Sequence, residues 1–146
     1  MKNQRLHIIP SSKTALLLSM WVFLFLAAAC SDQRSDAEKA LEAARQAAEN
    51  SYQALLDGHY DQFLANRAGG DSLPESYREQ LITTYKQFAA TQQEQHGGIR
   101  SFNVSNARID STQQIIQVFL MLNYADSTRE EIVIPMVEHN GEWKMK

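Results

Sequence analysis

Three patterns of apolar and polar residues follow one another along the chain. The first is an unbroken greasy run, Thr14 to Ala29, followed directly by Cys30. The second runs from Ala37 to Phe88, where apolar residues recur in steps of three and four. The third begins at Ile99, where apolar and polar residues alternate. A period near 3.6 predicts helices with one buried stripe, and a period of two predicts strands.

In the helical part, Ser35-Asp36-Ala37-Glu38 has the spacing of a capping box. A stripe follows through Ala37, Ala40, Leu41, Ala44, Ala47, Ala48, Tyr52, Leu55 and Leu56, so a long helix is expected, closed by Gly58. Its alanine-rich start lets another surface approach closely. Tyr60, Phe63 and Leu64 predict a short second helix, and Gly69-Gly70 breaks the chain. A third helix is expected from Ser72-Leu73-Pro74-Glu75, with Ser72 as cap, Pro74 in the first turn and Tyr77, Leu81, Tyr85 and Phe88 as a buried stripe. His96-Gly97-Gly98 ends it.

The alternating part predicts four strands. Phe102 and Val104 mark the first. Ile115 to Tyr124 is the central one, apolar on both faces, which calls for cover on both sides by helices or a partner. Arg129 to Val137 is the third, with Pro135 placing an edge or a bulge. Asn140-Gly141 predicts a tight hairpin into the last strand, putting Trp143 and Met145 on the core face and Lys144 outside. Helices followed by an antiparallel meander give an α+β fold, the helices packed on a curved four-strand sheet.

The greasy run then changes the picture. Lys2, Arg5 and Lys13 precede it, and no acidic residue occurs before Asp32. A basic start, an apolar middle and a small-residue end are the parts of a secretory signal. Its 16 apolar-run residues fall short of the ~20 needed to span a bilayer. Leu26-Ala27-Ala28-Ala29-Cys30 resembles the lipobox of bacterial lipoproteins, with Leu26 one place further from the cysteine than is commonest. The resemblance implies cleavage before Cys30 and a diacylglyceryl thioether on it, with the membrane as partner through that lipid. Lipidation would also remove the chain's single thiol, a liability in an oxidising compartment. An ordinary signal peptide or an uncleaved anchor helix, with Cys30 incidental, is the alternative. The expected organisation is a leader over 1–29, a lipidated tether over 30–35, and one α+β domain over 36–146. The location expected is the cell membrane, facing the periplasm or the exterior.

Charge excludes one class of partner. Formal charge is −3 for the chain and becomes −6 without the leader, which carries the three cations just named and no acid. A mildly acidic domain argues against nucleic acid.

Leu55-Leu56-Asp57-Gly58-His59-Tyr60 and the closing Asn140-Gly141-Glu142-Trp143-Lys144 resemble the corresponding turns of the nuclear-transport-factor-2-like (cystatin-like) superfamily. More closely, the chain resembles small bacterial lipoproteins of unknown function with that fold. The resemblance implies a cone-shaped cavity between helices and concave sheet. Members include isomerases, dehydratases and hydrolases as well as binding and interaction domains, and fold does not choose among them.

Chemistry-bearing residues are few. The central strand has no ionisable side chain from Ile115 to Leu122, Asp110 and Asp126 fall in turns, and Glu130 and Glu131 point to opposite faces. His59, His96 and His139 sit at turns without metal-site spacing, so no metal and no cofactor is expected. No phosphate-binding glycine loop occurs. Tyr52, His59, Tyr85, Phe88, Phe102 and Trp143 are the candidates for a pocket lining, with packing the competing role for the aromatics. Two functions follow. One is a lipid-anchored, non-enzymatic domain for a small ligand or a protein partner, including a second copy through the sheet. The other is a small-molecule isomerase or hydrolase using the cavity.

Overall fold

The computed structural model describes residues 36–146. The leader, Cys30, the tether and the Ser35 cap lie outside them. Residues 39–146 form one compact unit. Helix α1 covers 36–56, α2 is Tyr60–Ala65, a single 3₁₀ turn covers Gly70–Ser72, and α3 is Glu75–His96. Strands β1 (Ile99–Asp110), β2 (Ile115–Tyr124), β3 (Arg129–His139) and β4 (Glu142–Met145) follow. They make one antiparallel sheet in the order β1-β2-β3-β4.

The core forms where α1 meets the concave face of the sheet. Ala44 and Ala48 are fully buried, and small side chains there let the helix lie close. Ser51 is buried on the same face, and its hydroxyl donates to the Ala47 carbonyl at 2.7 Å, so its proton is not stranded. On β2 the inward positions Val118, Leu120 and Leu122 are at most 1 % exposed. Register aligns them with β1 and β3: Val104, Leu120 and Ile132 form one row, and Ala107, Val118 and Ile134 the next. A register shift between Val104 and Asn106 puts an extra residue into β1. Such a bulge bends its strand and raises the local twist, which helps the sheet curve around the helices.

The predicted turns form as their chemistry requires. Gly58, at φ 74°, lets α1 close with His59 N–H on the Ala54 carbonyl and Gly58 N–H on Leu55. Asn140 and Gly141 both have positive φ, 54° and 80°, which makes the hairpin a type I′ turn. Pro135 also finds the edge it needs. Lys146 N–H donates to its carbonyl at 2.9 Å, so the side of β3 on which Pro135 lacks a donor faces past the end of β4.

Three expectations need correction. First, Ser72 does not cap α3: it ends the 3₁₀ turn, and Pro74 is the N-cap, its carbonyl taking the Tyr77 and Arg78 N–H groups. Second, the α3 stripe is not buried. Tyr77 is 48 % and Phe88 38 % exposed, and Leu81 and Tyr85 are half-buried. The reason is length: a 22-residue helix overhangs the six-residue α2 against which it packs. Third, Lys144 is not outside. The segment after α2 runs beside β4, with Ala68 N–H on the Met145 carbonyl and Met145 N–H on that of Asn66. That brings the Ala65 carbonyl within 3.2 Å and Asp71 within 3.3 Å of the Lys144 ammonium, whose side chain is 16 % exposed. Of the cover expected on both faces of β2, the chain itself supplies the concave side among the described residues. On the convex face Phe119 lies under the Arg108 guanidinium, 5.4 Å from the ring centroid, and neighbouring Val133 is 50 % exposed.

Candidate functional site

The interior of the cone is occupied by its own side chains. Tyr85, Phe63, Tyr52 and Phe102 form a row with centroid spacings of 4.9, 5.8 and 6.2 Å, each pair edge to face. Tyr52, Tyr85 and Phe102 therefore come together as packing. Tyr85 Oη is buried and has no hydrogen-bond partner.

At the Tyr124 end of the sheet a polar clasp joins α3 to the β2–β3 turn. His96 Nδ1 lies 2.9 Å from Asp126 and its ring rests on Tyr124 at 4.6 Å. Asp126 also accepts from the Thr128 hydroxyl at 2.6 Å and the Thr128 N–H at 2.9 Å. Tyr124 Oη donates to Glu130 at 2.7 Å. Burial, reinforced by Glu130, pushes both Tyr124 and Tyr52 up to about 12. Phenols that high stay protonated at neutral pH and cannot act as general bases, for which a value near the working pH is best.

Asp126 is held down at about 2 rather than 3.8, first by the Thr128 hydroxyl and next by His96. A carboxyl lowered on folding stabilises the fold above its ordinary value, and that contribution fades as the pH falls through the folded one. Replacing Asp126 with Asn is therefore expected to lower the thermal midpoint at neutral pH. It should also flatten the decline between about pH 4 and about pH 2. Melting curves across that range check this.

Three of the hollows around the core bear on the candidates. One, of about 180 Å³, lies under the C-terminal half of α3 and contains Phe88 with Leu55, Leu56 and Tyr60. Another, of about 230 Å³, is lined by Leu64, Leu73, Tyr77 and Leu81. The third, about 440 Å³, is a cleft between α1 and the β3–β4 hairpin, walled by Trp143, Gln46, Asn50, Asn66 and Ser51. None of the three is lined by Tyr52, Tyr85, Phe102, His96, Asp126 or Glu130.

The cleft is the candidate site because its walls carry unspent polar groups. The type I′ turn and the pairing of Trp143 with Glu138 hold the indole on the side facing α1. Gln46 and Asn50, one turn apart, are joined by a bond of 3.1 Å from the Gln46 amide to the Asn50 carbonyl. That leaves the Gln46 carbonyl and the Asn50 amide free. Asn66 is fixed at the end of α2 by its backbone, its N–H on Gln62 and its carbonyl on Met145.

Of the sequence candidates, Trp143 lies in the cleft and Phe88 in the hollow under α3, while exposed His59 lines neither. Gln46, Asn50 and Asn66 were not among the sequence candidates. The four-residue spacing of Gln46 and Asn50 is the one local signal that could have found them. His96 and Asp126 lie thirty residues apart, and no spacing rule joins them. Among the described residues no cluster of His, Cys, Asp and Glu has the form of a metal site, and no helix is long and apolar enough to cross a membrane.

Helices followed by a curved four-strand antiparallel sheet define the nuclear-transport-factor-2-like fold. Among solved structures the chain is similar to a Campylobacter jejuni protein described as an NTF2-like transpeptidase. The TM-score is 0.53 and the identity 9 %, over 67 % of this chain and 92 % of that one. At that identity the likeness shows the fold alone. No family model and no curated protein matches the chain.

Proposed function

We propose that this is a lipid-anchored protein of the cell envelope whose domain binds a ligand or partner and performs no chemistry on it. The observation that carries the binding reading is the filled cone. Where this fold can hold a reactive cavity, Leu64, Leu120 and Met136 are fully buried and an aromatic row occupies the space beside them. Burial in that row pushes the Tyr52 phenol up to about 12. An isomerase or hydrolase would need a cavity and a group titrating near neutral pH.

The anchor reading rests on Thr14 to Cys30. Each buried methylene adds ~0.8 kcal/mol, so the two chains of a diacylglyceryl group hold a domain stably at a membrane. Cys30→Ser is expected to move the protein out of the membrane fraction or leave the precursor uncut. Labelling with a fatty-acid analogue should mark the parent protein and not the variant. Equal detergent partitioning of both, with neither labelled, would overturn the anchor.

A further inference from the structure

We propose that the cleft between α1 and the β3–β4 hairpin binds a neutral sugar chain. The inference deepens the binding reading above and rests on it, but not on the lipid anchor.

Three observations point to that ligand class. The first is the kind of polar group present. Gln46, Asn50 and Asn66 are carboxamides, each offering a donor and an acceptor side by side. Once Gln46 has bonded to Asn50, the pair still presents one free carbonyl and one free amide. Adjacent hydroxyls of a sugar, which donate and accept at once, match such a surface. A carboxylate or phosphate ligand would call for cations.

The second is charge. Glu142 is the one ionisable side chain on the lining, and its carboxylate faces the Lys144 ammonium at 3.8 Å. Lys144 also faces Asp71 at 3.3 Å, and the lining itself holds no cation to recruit an anionic ligand.

The third is Trp143. Its indole is half-buried, and its N–H has no protein partner among the described residues. An aromatic face is electron-rich and attracts the weakly positive C–H groups on the flat side of a pyranose ring, while the indole N–H can reach a hydroxyl. The cleft volume of about 440 Å³ is within the range of small-ligand sites. The rigid parts of the fold hold these groups in place: α1 carries the amides, the type I′ turn fixes Trp143, and the end of α2 fixes Asn66.

Tryptophan fluorescence tests this. The chain has two tryptophans, Trp21 and Trp143, so the full-length Trp21→Phe protein in detergent reports on Trp143 alone. Chitotriose and maltotriose are the probes. At least one should shift the emission saturably, with a Kd between about 10 μM and about 1 mM, and Asn50→Ala should weaken it about tenfold or more. Asn66→Ala, at a position outside the helices, gives a second variant should the first alter the melting curve. No saturable shift with either sugar, or a shift that survives both substitutions, overturns the site and leaves the binding reading of the domain standing. Mass spectrometry of the recovered sugar for its length, with its nuclear magnetic resonance spectrum for isomers, separates the two ideas. Intact sugar supports both, whereas a shortened or isomerised sugar overturns the non-catalytic reading and retains the site.

Discussion

Leu120→Ala is expected to remove about 2–5 kcal/mol of stability, the range for a buried leucine truncated in a core. That is a large share of the ~5–15 kcal/mol that holds a domain of this size together. The expectation rests on position. Leu120 has no exposed surface, lies on the central strand, and is flanked across the sheet by Val104 and Ile132. The helix above it is anchored by alanines, which have no side-chain length with which to fill a void. The sheet below cannot close in without breaking register. The site therefore relaxes poorly, and the loss should fall in the upper half of the range. Urea denaturation would show a lower midpoint with unchanged slope. A loss below about 1 kcal/mol would mean that the interior is loose enough to collapse, contrary to the filled cone.

Gly70→Ala is the second large effect. The reason is not an unusual φ but a close approach: a Cβ on Gly70 would lie 2.1 Å from the Leu64 carbonyl oxygen and 3.0 Å from its carbon. Those atoms are backbone, and they cannot swing aside as a side chain can. Leu64 is fully buried, and the next carbonyl, that of Ala65, is the one that receives Lys144. Relief would require α2 or the 3₁₀ turn to move, pulling Asn66 and Ala68 off their bonds to Met145. Overpacking of this kind costs about 1–3 kcal/mol and occasionally more. Thermal denaturation should place Gly70→Ala well below the parent, and sugar binding should weaken with it because Asn66 lines the cleft. A variant as stable as the parent would show that the turn has room to move.

The strands were the most legible part of the fold. Alternation from Ile116 to Tyr124 sets the inward face outright, and Asn140-Gly141 can hardly form any turn but a type I′ one. The errors arose where a residue's surroundings come from far along the chain. Tyr77 to Phe88 has the period of a buried stripe, but the period cannot reveal that the platform below, α2, is only six residues long. Period two puts Lys144 outside, and so it would be had the segment at Asn66 to Ala68 not come alongside β4.

The site was legible only in its aromatic member. Trp143 stands out in sequence as a large residue after a tight turn. Gln46 and Asn50 read as an ordinary solvated helix face, and Asn66 as a loop residue, because their value lies in facing one another across a cleft that three separate elements build. The clasp of His96 and Asp126 is hidden for the same reason.

The central claim is that this cone is closed by its own side chains and that binding takes place outside it, in the cleft. The most direct test is a nuclear magnetic resonance titration of the isotope-labelled protein with chitotriose and maltotriose. Resonances of Gln46, Asn50, Asn66 and the Trp143 indole should move together with one saturation curve, while the ring signals of Tyr52, Phe63, Tyr85 and Phe102 stay in place. Movement of those ring signals with the cleft unaffected would put the ligand inside the cone and contradict the account.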